Sequence, residues 1–305
     1  MDESKSNIVD TIKQNISDKK YQAAVNLSRE YLENHKSSAA LVLQVEALIK
    51  LKQYVMAKEL VMEEPNSFVS NLGDFLLLVK VLVKNNEFIK AREVLTSFEE
   101  NNEEYFENGM KMLNDAEEMF RKNSSKTLDE LAKQYYHASS QTTLYKQKKA
   151  FMSGQHLPYK EFVKYSRFVL MDPFVQLMLK SEIIDTLRKI NCDDTIEINW
   201  IDNEDKKIVP NQLSSLDDMS SYQYILKRII SDYQSNPEKM YLISSYFNHQ
   251  SILMYPFNDD IIKDFKNWYD LTIQEYLRDQ TYDTADEHGY LEYIKFIKDQ
   301  FNSIK

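Results

Sequence analysis

Glycine and proline are scarce in this chain, and that scarcity restricts the folds it can adopt. The 305 residues include 4 Gly and 6 Pro, together about 3 %, against roughly 12 % in average usage. Tight hairpins and phosphate-binding loops need glycine because their backbone requires positive φ. The composition therefore excludes a sheet-rich fold or a glycine-rich nucleotide-binding fold, and it predicts long helices joined by polar turns.

Net charge and hydropathy restrict the classes of binding partner and the cellular compartment that we predict for the protein. The formal net charge of −10 argues against a chain that binds nucleic acid or an anionic membrane. No stretch reaches the roughly 18 apolar residues of a membrane span, and the acidic N-terminus does not resemble a signal peptide. The single cysteine, Cys192, cannot form a disulfide within the chain. We therefore predict a cytoplasmic protein with no membrane and no nucleic-acid partner.

A repeat organises the first hundred residues. Three segments carry an aromatic residue followed by alanine three positions later, and the aromatics are 33 and 34 residues apart. The pairs are Tyr21 with Ala24, Tyr54 with Ala57, and Phe88 with Ala91.

This period resembles the tetratricopeptide repeat (TPR), in which an aromatic opens the second helix of a pair and a small alanine lets the neighbouring helix pack closely. The chain departs from the TPR pattern at Val45 and Val79, where the first helix normally carries glycine. The resemblance implies a TPR-like helical-hairpin array, an α-solenoid, over residues 1–100.

The helical pattern continues beyond the repeats. It is interrupted once, by a segment whose sequence is typical of β-strands. A domain boundary is predicted at residues 153–158, Ser-Gly-Gln-His-Leu-Pro. It divides the chain into residues 1–152, which contain the repeats with connecting helices, and residues 153–305, which form a C-terminal helical region. Within the latter, Ile196, Ile198 and Trp200 alternate with polar residues, which predicts one β-hairpin near residues 195–210. The fold class is thus all-α with a small hairpin.

Three helix starts are marked in the second half of the chain. Thr127 and Glu130 have the form of a capping box, which predicts a helix to Phe151. Asp172-Pro173 and Asn236-Pro237 each place a capping acceptor before a proline at the first helical position. They predict helices to about Ile190 and Met254.

A second resemblance covers most of the chain. It rests on the Pro173–Ser181 segment and on short runs in a fixed order. These are Leu157-Pro158, Ile198-Asn199-Trp200, Val209-Pro210, Asn236-Pro237 and Leu253-Met254-Tyr255-Pro256-Phe257. Together with the repeats, they look like a TPR-like family of cytosolic proteins from low-GC Gram-positive bacteria and mollicutes. The resemblance implies a helical array with a C-terminal extension and assigns no activity.

No catalytic constellation is evident. The five histidines are scattered without metal-ligand spacing, and neither a Walker loop nor a G-x-S-x-G elbow is present. Cys192 follows a predicted helix end, where nothing lowers a thiol pKa. We therefore predict no catalytic residues, no metal and no cofactor, and a non-catalytic protein.

The predicted working surface is the concave face of the array, formed by the first helix of each pair. Registering the repeats on their aromatics places Lys13, Glu46, Lys50, Lys80 and Lys84 there, over an apolar floor. The floor comprises Val9, Ile16, Val42, Ile49, Leu76 and Val83. Lysines over such a floor favour a protein or peptide partner that carries carboxylates, through charge-assisted hydrogen bonds.

Other functions stay open at the level of sequence. Residues 121–167 carry ten Lys or Arg against three carboxylates, so the stretch 146–167, with Lys146, Lys148 and Lys149, is a second candidate surface for an acidic partner. The chain could be a peptide-sensing regulator lacking its own DNA-binding domain, or an enzyme with an inter-helical cleft. Self-association through the end of the array is a further alternative, and the sequence does not determine the oligomeric state.

Overall fold

The computed structural model describes residues 3–202, 204–277 and 285–303. About 75 % of these residues are helical, and they form sixteen α-helices and one two-stranded antiparallel sheet, so the predicted all-α class with a small hairpin is confirmed. The helices are α1 Glu3–Ser17, α2 Tyr21–Asn34, α3 Ser38–Lys50, α4 Tyr54–Glu63, α5 Leu72–Lys84, α6 Phe88–Thr96, α7 Glu103–Asn123, α8 Ser125–Tyr136, α9 Leu144–Gln155, α10 Tyr159–Met171, α11 Leu177–Lys189, α12 Ser220–Tyr233, α13 Pro237–Met254, α14 Asn258–Ile261, α15 Phe265–Leu277 and α16 Tyr290–Ser303. The strands are β1 Ile196–Asn199 and β2 Asp205–Ile208.

The chain separates into two compact units. Unit 1 comprises Met1–Lys133 and Ser153–Phe162, and unit 2 comprises Gln134–Met152 and Val163–Lys305. The short segment 153–162 therefore belongs with the N-terminal helices although it lies far from them in sequence. The division into residues 1–152 and 153–305 stays a prediction.

The sequence repeat coincides with the boundaries of the first six helices of unit 1. The aromatic of each repeat, Tyr21, Tyr54 or Phe88, is the first residue of α2, α4 or α6. Each of these helices follows α1, α3 or α5 after a turn of three residues. The repeat in the sequence therefore marks three helical pairs.

The three turns within these pairs have the same backbone geometry. Lys19, Lys52 and Asn86 have φ of 59°, 58° and 57°, in the left-handed region. The amide of the residue after each one donates to the carbonyl five residues earlier, over 2.8, 2.9 and 3.0 Å. This is the Schellman arrangement, which glycine usually occupies. The chain builds it with lysine and asparagine, which explains how so few glycines suffice.

The core of unit 1 is apolar and continuous from Ile12 to Phe120. The repeat alanines Ala24, Ala57 and Ala91 are fully buried. α1 packs on α3, α3 on α5 and α5 on α7, in addition to the contacts within each pair. Close helix packing at the alanines explains why a larger side chain is absent there.

Unit 2 contains the hairpin predicted near residues 195–210. Strands β1 and β2 pair in antiparallel register, with Ile196 opposite Ile208 and Asn199 opposite Asp205. Ile196 and Ile198 point to the buried side, and Trp200 follows them into the interior. The alternation in the sequence therefore predicted both the buried face and the position of the hairpin correctly.

Of the three helices predicted from start signals in the second half of the chain, two have wrong bounds and one is confirmed. Asn236 caps α13 by accepting from the amide of Lys239, and Pro237 is its first residue, as predicted. By contrast, α11 begins at Leu177 instead of Pro173, because the Asp172 carboxylate accepts from the amide of Phe174 and forms a turn there.

The helix predicted from Thr127 to Phe151 is also wrong, because two helices occupy this range. α8 ends at Tyr136 and α9 begins at Leu144. The Gln147 amide donates to the carbonyls of Gln141 and Phe174, and its oxygen accepts from the amide of Gln176. These contacts hold the segment before α9 in a non-helical conformation.

Candidate functional site

The predicted site residues lie on three adjacent helices of unit 1. Lys13 is exposed on α1, Lys50 is exposed on α3 beside half-buried Glu46, and Lys84 is exposed on α5 beside half-buried Lys80. Since α1 packs on α3 and α3 on α5, the helices that carry them are neighbours. We call this set of five residues the lysine face.

The apolar floor is smaller than the sequence predicts. Val42 and Leu76 are half-buried, as expected of residues at the base of a groove. Ile49 and Val83, however, belong to the core, with exposures of 8 % and 9 %. Their side chains are buried between helices, so a ligand cannot contact them.

The lysines of the lysine face are not neutralised by neighbouring carboxylates. Among the residues that the structure describes, no ion pair or side-chain hydrogen bond involves Lys13, Lys50, Lys80 or Lys84. Lys58 on α4, in contrast, lies 2.6 Å from the carboxylate of Glu87. Unpaired ammonium groups are strong donors that a carboxylate ligand could use.

A cleft lies on the other side of α3, between α2 and α4. Its volume is about 670 Å³, and Leu41, Gln44 and Leu48 of α3 form part of its lining. Gln44 and Glu46 are two positions apart, which is roughly 200° around a helix. The cleft and the lysine face are therefore on opposite sides of α3, and only the lysine face was predicted.

The walls of this cleft are predominantly acidic. They carry four carboxylates, Glu33, Glu59, Glu63 and Glu64, and two basic side chains, Arg29 and Lys36. Within residues 3–202, 204–277 and 285–303, none of the four carboxylates has an ion pair. We call the whole feature the acidic cleft. No sequence pattern predicted it, because its residues come from two successive repeats.

A buried charge cluster fixes segment 153–162 within unit 1. Glu117 on α7, with a residue exposure of 3 %, lies 3.7 Å from Arg92 and 3.3 Å from Arg121 and accepts from the amide of Tyr159 at 3.1 Å. Arg121 donates two hydrogen bonds of 2.8 Å to Glu161. The geometry is that of a structural clamp.

Electrostatics and stacking support this clamp. Burial favours the neutral form of the Glu161 carboxyl, but the hydrogen bonds from Arg121 hold its pKa below the ordinary value. The Arg92 guanidinium stacks on the Tyr159 ring, 4.2 Å from its centroid. The charged groups are thus engaged with one another, and we assign them no ligand.

A pocket in unit 2 has cations that are already paired. Its volume is about 430 Å³, and Met178, Ile252 and Tyr255 contribute apolar surface. Burial raises the pKa of the Tyr255 hydroxyl to about 12, and this hydroxyl donates to the carbonyl of Ser214. Its cations pair with carboxylates of the same pocket: Lys148 with Glu182, and Arg188 and Lys189 with Asp185.

The pairing of Lys148 with Glu182, at 3.2 Å, also bears on the alternative surface in stretch 146–167. Lys146, Lys148 and Lys149 are exposed on α9. The charge of Lys148 is therefore engaged within unit 2, and Lys149 also has an interaction. The stretch stays a prediction with fewer available cations than the sequence indicates.

Lys180 is an unusual buried cation in unit 2. Only 1 % of the residue is exposed, and its ammonium donates a hydrogen bond of 2.7 Å to the carbonyl of Asn199. Burial lowers the pKa of Lys180 to about 8, against the opposing effect of the negative charges of Asp172 and Asp205. The contact attaches β1 to α11, so Lys180 positions the hairpin.

Metal and membrane features give no further site. In the described parts of the chain, no three or more His, Cys, Asp and Glu side chains are grouped so that they could hold a metal ion. None of the helices described is both long enough and apolar enough to cross a bilayer. Cys192 is buried.

No known protein family, curated protein or solved structure matches the chain.

Proposed function

We propose that unit 1 is a TPR-like array of helical hairpins that binds carboxylate-bearing segments of other proteins through the lysine face. In this proposal the protein is a non-catalytic interaction module of the cytoplasm, similar to the TPR-like bacterial family described above. Unit 2 contributes no chemistry to the interaction.

The repeat geometry supports the array. Three helical pairs share the same left-handed turn, at Lys19, Lys52 and Asn86. The first helices of successive pairs pack on each other, which is the arrangement that stacks repeats side by side. Such an array presents one side of its first helices as a continuous surface.

The observation that carries the proposed function is the set of unpaired lysines on this surface. Lys13, Lys50, Lys80 and Lys84 lie on consecutive first helices and have no carboxylate partner among the described residues. Half-buried Val42 and Leu76 offer apolar contact between them. A peptide with acidic and apolar side chains would therefore gain charge-assisted hydrogen bonds and buried area together.

A random peptide library displayed on phage tests the proposal. Selection on the full chain is expected to enrich peptides that carry more Asp and Glu than the starting library. The double variant Lys50→Glu/Lys84→Glu should weaken their binding by about tenfold or more, because it replaces attraction by repulsion at two contacts.

A matched control removes the effect of net charge. Lys126 and Lys133 are exposed on α8 of unit 1, and Lys126→Glu/Lys133→Glu makes the same change of charge away from the lysine face. This variant should retain wild-type affinity for the selected peptides. An enriched pool with no excess of acidic residues, or equal loss in both variants, would contradict the proposal.

A further inference from the structure

The acidic cleft contains a polar side chain that the fold leaves without a partner. Gln44 lines the cleft and is 5 % exposed. In the portion of the chain that the structure describes, no hydrogen bond involves its side-chain amide. The polar atoms of this amide keep contact with solvent through the cleft. A ligand in the cleft would supply the missing hydrogen bonds.

The chemistry of an amide restricts that ligand. A glutamine side chain offers one acceptor oxygen and two donor hydrogens, so it can pair with a backbone N–H and a backbone C=O at the same time. Leu41 and Leu48, one turn before and after Gln44, also line the cleft. The floor thus combines apolar surface with a group suited to a polypeptide backbone.

The walls define the charge of the ligand. Glu59 and Glu63 lie one turn apart on α4, where two like charges repel each other and destabilise the helix. Glu33 on α2 and Glu64 after α4 add further negative charge, and these carboxylates have no ion pair among the residues described. A cationic ligand would relieve this repulsion.

We infer that the acidic cleft binds a basic, apolar-containing segment of a partner protein. Lysine or arginine side chains of the segment meet Glu33, Glu59 and Glu63, its apolar side chains cover Leu41 and Leu48, and its backbone pairs with Gln44. The site is separate from the lysine face, so the protein has two recognition surfaces of opposite charge on the two sides of α3.

Two synthetic peptides test this inference. Both are amphipathic helices with leucine on one side, and the other side carries lysine in one peptide and glutamate in its counterpart. Fluorescence anisotropy with the full chain should give about tenfold or higher affinity for the lysine peptide when the acidic cleft is intact. Glu59→Lys/Glu63→Lys should abolish that preference.

The matched control reverses two carboxylates elsewhere in unit 1. Glu103 and Glu107 are exposed on α7, and Glu103→Lys/Glu107→Lys changes the net charge by the same amount. This control should retain the affinity for the lysine peptide. Equal weakening by both double variants would overturn the inference, because the peptide would then be attracted by net charge alone.

Gln44→Leu separates binding from folding. Leucine removes the unpartnered amide while it keeps the core filled, so the unfolding temperature should stay the same or rise. The affinity for the lysine peptide should nevertheless fall by about tenfold. Unchanged affinity would overturn the role of Gln44. A concentration-dependent dimer that Glu59→Lys/Glu63→Lys dissociates would instead identify a second copy as the occupant and overturn the inference.

Discussion

The interior of unit 1 is almost entirely apolar, whereas the interior of unit 2 contains many polar side chains. Three polar or charged residues are buried in the described part of unit 1, and eleven are buried in that of unit 2. The three are Ser28, Gln44 and Glu117. The eleven are Gln147, Ser166, Lys180, Ser181, Thr186, Ser221, Gln250, Ser251, Asn258, Asp270 and Thr272.

This difference shows two ways of specifying a helical fold. Unit 1 repeats one packing solution, in which a small alanine and an aromatic recur at fixed spacing. Unit 2 depends on particular hydrogen bonds, such as that between Tyr135 and Ser166 at 2.8 Å. Apolar packing is sensitive to side-chain volume, and buried polar contacts are sensitive to the loss of a partner or to pH. The predictions below use that contrast.

The largest effect is expected from enlarging a repeat alanine in unit 1. Ala24 is fully buried, so Ala24→Leu should lower the free energy of unfolding by about 1–3 kcal/mol through overpacking. Its neighbour Ala23 is exposed, and Ala23→Leu should leave stability within about 0.5 kcal/mol of wild type. Urea denaturation followed by far-UV circular dichroism measures both. Equal effects of the two variants would show that the repeat alanine is not a packing position.

An intermediate effect is expected from the buried charge in unit 2. The unfolded chain keeps the proton on Lys180 up to its ordinary pKa of 10.5, whereas the folded protein releases it near a pKa of about 8. The unfolded state therefore binds more protons between these values, and stability should rise with pH above about 8, by up to about 1 kcal/mol per pH unit.

Tryptophan fluorescence is suited to this measurement because both tryptophans, Trp200 and Trp268, lie in unit 2. Lys180→Met should remove the rise with pH, since the variant has no proton to release at this position. Lys189→Met, on the exposed side of the same helix, should retain it. A rise that persists in Lys180→Met would assign the pH dependence to another group.

The smallest effect is expected at a repeated turn. Lys52 is exposed with φ of 58°, a conformation that costs a side chain about 1–2 kcal/mol and glycine very little. Lys52→Gly should raise the free energy of unfolding by about 0.5–1 kcal/mol after the entropy of glycine is included. Lys111→Gly, the same substitution within α7, should lower it by about 1 kcal/mol. A loss in both would mean that the Lys52 turn is not strained.

The repeats were predictable because their signal is local and recurs. An aromatic at the start of α2, α4 and α6 and an alanine three residues later fix the helical pairs without knowledge of distant contacts. The start of α13 was predictable for the same reason, since Asn236 and Pro237 act on the first turn alone.

The errors arose where distant contacts decide the local conformation. The break between α8 and α9 depends on Gln147, which hydrogen-bonds to residues Gln141, Phe174 and Gln176. Its contacts with Phe174 and Gln176 add to the Asp172 turn that delays the start of α11. A capping pattern contains no information about such a partner. The acidic cleft was not predicted for a similar reason. In the sequence, Gln44 is a single polar residue in an otherwise apolar helix, and nothing local indicates what it faces.

The central claim is that acidic peptides bind unit 1 on the lysine face, and site-specific photo-crosslinking tests it most directly. A photoreactive benzoyl-phenylalanine replaces Glu46, which is half-buried on the lysine face, or Met56, which lines the acidic cleft and is 40 % exposed. With an acidic peptide from the library selection, we expect a crosslink at position 46 and none at position 56. A crosslink at position 56 alone, or at neither position, would contradict the claim.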